Sequence, residues 1–104
     1  MIMTAEIEAI AKKISRRFRP TAIYLFGSYA KGTIRRNSDI DLCLVIDVDD
    51  KRALKRRIHM EIEQEVDLDI VIYTPQQWEK YKNDPARFAN IIYREGVNLS
   101  GRFH

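Results

Sequence analysis

Residues 26–42 read Phe26-Gly27-Ser28-Tyr29-Ala30-Lys31-Gly32-Thr33-Ile34-Arg35-Arg36-Asn37-Ser38-Asp39-Ile40-Asp41-Leu42. An apolar run rich in β-formers, Thr21 to Phe26, ends on Gly27-Ser28, and ten residues later a second apolar run carries Asp39 and Asp41. Thr21–Phe26 is expected to be a first strand and Ser38–Ile46 a second. A period of two puts Asp39, Asp41, Cys43 and Val45 on one face of that second strand, with Ile40, Leu42, Leu44 and Ile46 on the other. Ser28 can cap a single helical turn that Gly32 closes. The link between the strands is too short for a parallel crossover, so the two are expected to be antiparallel neighbours.

Upstream, Ile7, Ile10, Ala11, Ile14 and Phe18 fall on one helical face, so residues 4–18 read as a helix capped by Thr4 and stopped by Pro20. Downstream, Asp47, Asp49 and Asp50 supply a turn and a helix start. A helix over 51–65 follows, with Leu54, Ile58 and Ile62 on its apolar side. Val66–Tyr73 reads as a third strand, reached through a full helix and so parallel to the second. Thr74, Pro75 and Gln77 form a capping-box helix start. A last helix over about 85–95 ends at Gly96. Val97–Leu99 reads as a short fourth strand and 100–104 as a frayed tail. The fold class expected is α/β (α+β): a small mixed sheet of three or four strands flanked by helices, with residues 1–104 forming one domain.

This topology gathers Gly27, Ser28, Asp39, Asp41 and Asp69 at one end of the sheet. Asp is disfavoured in strands, and three carboxylates on one face repel each other unless cations neutralise them. Oxygen-only ligands suit Mg²⁺, which completes its shell with waters and substrate phosphates. Two such ions could stabilise both the attacking and the leaving oxygen of a displacement at phosphorus. Gly27 lets backbone approach a phosphate, and Ser28 with the N–H groups after it can donate to one. The competing reading of Asp39 and Asp41 is a solvated strand edge that discourages edge-to-edge pairing. Asp67 reads as an exposed residue at the strand entry. Lys31, Arg35 and Arg36 read as a solvated loop or, more sharply, as contacts to a triphosphate tail; Lys31 is kept with Gly27 and Ser28 as a candidate binding residue. Tyr29 and Tyr73 read as packing residues.

Composition sets the remaining bounds. Hydrophobic residues at 45% and charged residues at 32% give the balance of a globular protein with an ordinary core. The lone cysteine, Cys43, cannot form an intrachain disulfide, which fits a reducing compartment, and no signal segment or membrane span is visible. A cytoplasmic protein is expected. Net charge is +3, and Lys51-Arg52-Ala53-Leu54-Lys55-Arg56-Arg57 concentrates five basic residues in seven. Such a run is most often a solvated helix face and less often a docking surface.

The Gly27-Ser28, ten residues, Asp39-Ile40-Asp41 pattern resembles the DNA polymerase beta-like nucleotidyltransferase superfamily, and the short chain resembles its minimal nucleotidyltransferase (MNT) branch. The resemblance runs from about Ile23 to Leu99 and includes the third strand around Asp69, the Thr74-Pro75 helix start and Glu95-Gly96-Val97. It implies the nucleotidyltransferase fold, with Asp39, Asp41 and Asp69 as the catalytic and metal-binding carboxylates and Gly27 and Ser28 holding the β and γ phosphates. It further implies transfer of AMP from ATP to a hydroxyl, with pyrophosphate leaving. Members of this branch are commonly encoded beside HEPN-domain toxins and act as the antitoxin, some by modifying a tyrosine of the HEPN ribonuclease. The sequence lacks the additional helical substrate domain of larger relatives, so the acceptor surface is expected on a partner or second subunit.

The leading expectation is therefore a Mg²⁺-dependent protein adenylyltransferase acting as a type VII-like antitoxin on a HEPN partner. The alternatives are a non-catalytic module that neutralises its partner by occlusion, or nucleotidylation of a small molecule or an RNA end. Homo- or hetero-oligomers fit this reading; a membrane partner or direct nucleic-acid binding is not expected from it.

Overall fold

The computed structural model describes residues 4–33, 39–62 and 67–102. The sheet has the order β3-β2-β1-β4, with β1 Ala22–Phe26, β2 Ile40–Val45, β3 Leu68–Tyr73 and β4 Val97–Asn98. β1 pairs antiparallel with β2 and β4, whereas β2 and β3 run parallel, as the connection lengths require. The helices are α1 Ala5–Phe18, α2 Gly27–Lys31, α3 Lys51–Glu61, α4 Pro75–Tyr81 and α5 Phe88–Glu95. α3 ends at Glu61, short of the expected 65, because Ile62 is already extended at φ −110° and ψ 112°; the expected strand starts at Ser38 and Val66 lie outside the described residues. No described helix is long and apolar enough to cross a membrane.

The period-two pattern divides the core between the two faces of the sheet. On one face Ile23, Leu25, Ile40, Leu42, Leu44, Leu68, Ile70 and Ile72 pack against Ile7, Ile10, Ala11 and Ile14 of α1 and Leu54, Ile58 and Ile62 beside them. On the other, Tyr24, Cys43 and Val45 pack under Trp78, Ala89 and Ile92 from α4 and α5. Trp78 joins the two sides of that cluster, its ring 5.0 Å from Tyr24 and 5.6 Å from Tyr73. Tyr73 and the buried Tyr29 are thus packing residues, as expected.

Local signals set most boundaries. The Thr4 hydroxyl accepts from the Ile7 N–H at 3.1 Å, and the Asp50 carboxylate caps α3 through Ala53 N–H at 3.0 Å. Thr74 and Gln77 form the full capping box. α1 ends where Arg19, held out of the right-handed region by Pro20, turns left-handed at φ 51°. α5 begins at Phe88, three residues later than Pro85 suggests. Asp84 accepts the Ala86 N–H on its side chain and the Arg87 N–H on its carbonyl, so residues 84–87 form a turn instead of a first helical turn. The segment after β4 is not frayed as far as Arg102: Leu99 is buried, its N–H donates to Ile23 O at 2.7 Å, and Ile23 N–H donates to Ser100 Oγ at 3.1 Å.

Candidate active site

α4 and α5 cover only part of their face of the sheet. Asp41 and Asp69 stand at its uncovered end, paired in register across β2 and β3, and Asp41 pairs with Phe26 on its other side. β1 therefore delivers Gly27 directly to the Asp41 carboxylate. Gly27 has φ +71°, and a Cβ built there would overlap Asp41 Oδ2. Glycine is required twice at this point, by the left-handed backbone and by the carboxylate against it. Ser28 follows, half-buried, in the short helix α2. Gly32 closes α2 in the left-handed conformation, donating its N–H to Ser28 O. Lys31 is exposed on the last turn of α2. Arg35, Arg36 and Ser38 lie outside the described residues.

The carboxylates act on one another. Burial, then the charges of Asp69 and Asp39 and a hydrogen bond with Asp69, push Asp41 up to about 6. Asp39, at the mouth, is also raised, by desolvation first and then by Asp69 and Asp67. Asp67 is exposed, as expected, but it matters to the site in two ways. Its charge reaches Asp39, and its carbonyl accepts the Ile40 N–H at 2.8 Å, which locks the starts of β2 and β3 together. The fold thus brings together Gly27, Ser28, Asp39, Asp41 and Asp69. Among the described residues no group of three or more His, Cys, Asp or Glu side chains is placed so that it could hold a metal ion. The cluster is open, and its donor set is oxygen alone. Such a set fits a hard cation that draws its other ligands from water and phosphate.

Sequence reasoning missed the other wall. Phe88, Ile91, Ile92 and Glu95 of α5 join Phe26, Gly27 and Lys31 around a cavity of about 200 Å³. Phe88 packs edge-on against Phe26 at 5.6 Å, yet Phe88 and Ile91 remain 48% and 42% exposed. α5 is apolar on several sides, so no single stripe in its sequence marks which residues face the site. A larger cavity, about 450 Å³, opens beside Arg16, Arg19, Thr21 and Ser100 at the opposite end of β1. It contains no carboxylate and is remote from this chemistry.

Residues 7–97 match the nucleotidyltransferase domain family over most of the chain. The chain belongs to that family. Two solved structures agree with the fold of this nucleotidyltransferase domain. A Sulfolobus solfataricus protein provisionally described as a nucleotidyltransferase superposes with a TM-score of 0.57 at 18% identity, covering 88% of this chain and 77% of that one. A toxin–antitoxin structure solved with AMP-PNP gives a TM-score of 0.57 at 25% identity, covering 92% of this chain and 73% of that one. No curated protein matches the sequence of this nucleotidyltransferase domain.

Proposed function

We propose that this nucleotidyltransferase is a protein adenylyltransferase that transfers AMP from ATP to a hydroxyl of a partner toxin, a HEPN-domain protein modified on tyrosine, and so acts as an antitoxin. The observation that carries the chemistry is Asp41 set between Gly27 and Asp69, with its proton affinity raised by both burial and its neighbours. A cluster that resists its own ionisation is relieved by a cation. The likeness to a toxin–antitoxin structure solved with AMP-PNP supports the donor and the kind of partner.

In this reading Asp39, Asp41 and Asp69 would hold Mg²⁺, as one ion or two. When bound, Mg²⁺ supplies charge neutralisation at the phosphates and at the two oxygens exchanged at phosphorus. The remaining roles belong to the chain. Gly27 leaves space for the β and γ phosphates, and Ser28 donates to them. Lys31 balances the charge of the tail. Asp69, exposed at the mouth, faces the side from which an acceptor hydroxyl arrives and takes its proton. The hydroxyl oxygen bonds to the α-phosphorus as the bond to the β-phosphate oxygen breaks, and pyrophosphate departs.

Incubation with α-labelled ATP, Mg²⁺ and the product of the neighbouring gene should label that product, and the label should map to a hydroxyl side chain. The reading fails if no label appears, or if label persists in the Asp39→Asn plus Asp41→Asn double variant.

A further inference from the structure

The face of the sheet turned away from the carboxylates carries the strongest charge on the molecule. α1 and α3 both pack on that face through one core cluster and meet at their C-terminal ends. Arg17 and Arg57 are drawn together through Glu61 at 3.1 and 3.7 Å, and Arg57 lies over the Phe18 ring at 5.5 Å. On the outer sides of the two helices Lys12, Lys13 and Arg16 of α1 and Arg52, Lys55 and Arg56 of α3 are all exposed. Among the described residues none of these six has an ion-pair partner. The run 51–57 alone reads as a solvated face; folding doubles it with a second cationic row from a distant part of the chain.

We infer that this α1–α3 face binds the phosphate backbone of duplex DNA without reading its bases. Like charges gathered on two helices of one face set up a positive field that attracts a polyanion. A protein partner is disfavoured, because the cores of protein interfaces are depleted in lysine and, among the described residues, Met60 is the only strongly exposed apolar residue on this face. Single strands are disfavoured because their bases stack on exposed aromatic rings, and among the described residues the ring beside the seam, Phe18, is covered by Arg57. The six residues offer cations but no hydroxyl or amide to recognise a 2′-hydroxyl, which sets DNA ahead of RNA. α1 spans about 21 Å, room for about six phosphates of one strand. The duplex would lie on the opposite side of the sheet from the carboxylates, so this inference stands apart from the nucleotidyl-transfer reading.

Anisotropy of a labelled random-sequence DNA duplex with the full chain, over about 50 to 200 mM NaCl, tests it. Contacts to about six phosphates predict a slope near −5 in log affinity against log salt. Lys12→Glu with Lys13→Glu, and Arg52→Glu with Arg56→Glu, should each weaken binding at least about tenfold and flatten the slope by about 2. Lys80→Glu with Arg87→Glu makes the same change in net charge on the carboxylate side and should leave binding within about threefold. Circular dichroism checks the fold of each variant; if the α1 or α3 pairs do not fold, the wild-type slope and competition decide. The inference is overturned by no binding at the lowest salt, by a slope shallower than about −2, or by folded variants that bind like wild type. It is also overturned by an RNA duplex binding at least about tenfold tighter than DNA, or by poly-glutamate competing as well as DNA at equal charge.

Discussion

Asp41 is held where its charge costs stability. Its carboxyl has an ordinary value in the unfolded chain and titrates at about 6 in the folded one, raised by burial, Asp69 and Asp39. The folded state therefore binds the proton more tightly, and stability from this group is complete below about pH 4 and lost as pH rises through about 6. A shift of this size corresponds to about 3 kcal/mol at most; with the side chain half-exposed, about 1 kcal/mol is the reasonable share. Asp41→Asn should accordingly raise the melting temperature of the Mg²⁺-free protein at about pH 7.5 by about 4–8 °C and change little at about pH 4. Mg²⁺ should stabilise the wild type and not the variant. A variant that melts at or below the wild-type temperature at neutral pH would contradict this account. Asp39, Asp41 and Asp69 were legible in the sequence because Asp on an apolar strand is a local anomaly that asks for a reason. The influence of Asp67 was not, because it acts through space on Asp39 while looking like an ordinary exposed strand entry. Phe88 and Ile91 were hidden for the opposite reason: apolar residues in an apolar helix carry no anomaly at all.

At the scale of elements, strands and caps were readable because their signals are local. The two-residue alternation of β2, the connection lengths and the Thr74–Gln77 box each act within a few residues, and together they dictate strand order and direction. The start of α5 was not readable, since Asp84 competes for the same backbone donors that a helix beginning at Pro85 would need. Gly96 shows a second limit. It ends α5 as a glycine commonly does, but at φ −78° it is in an ordinary conformation. Its requirement is space, because a Cβ there would press on Ile92 O and sit 3.1 Å from Leu25 O. Gly96 is thus the point where α5 seats on β1, beside Gly27 and the Phe26–Phe88 contact. Gly96→Ala should cost about 1–3 kcal/mol by overpacking. Urea unfolding should show a lower midpoint with an unchanged slope. An unchanged midpoint would mean that α5 shifts freely, and the cavity beside Gly27 would then have no fixed wall.

For the whole molecule, the central strand β2 couples everything: the helices α1 and α3 on one face, α4 and α5 on the other, and the carboxylates at one end. Cys43 sits in the middle of that strand, fully buried in the cluster under Trp78, with β1 and β3 paired on either side. Burial pushes its thiol up to about 12. At about pH 8 the thiolate fraction in the folded state is then about one in ten thousand, and no reagent can reach it without separating β2 from its cover. Reaction with a thiol reagent should therefore proceed only through global opening, at a rate that follows the stability of the entire domain. Two changes at the far end of the strand should slow it. Asp41→Asn removes the repulsion that destabilises the folded state at neutral pH, and Mg²⁺ with ATP, if bound as proposed, should stabilise the folded state by mass action, slowing the wild type by a factor of one plus the ratio of ligand concentration to Kd. Applied to the Asp39→Asn plus Asp41→Asn variant, the ligand should leave the rate unchanged. Labelling of the wild type within about tenfold of the urea-unfolded chain, or equal slowing of wild type and double variant by ligand, would show that the carboxylate end and the sheet centre are not one cooperative unit.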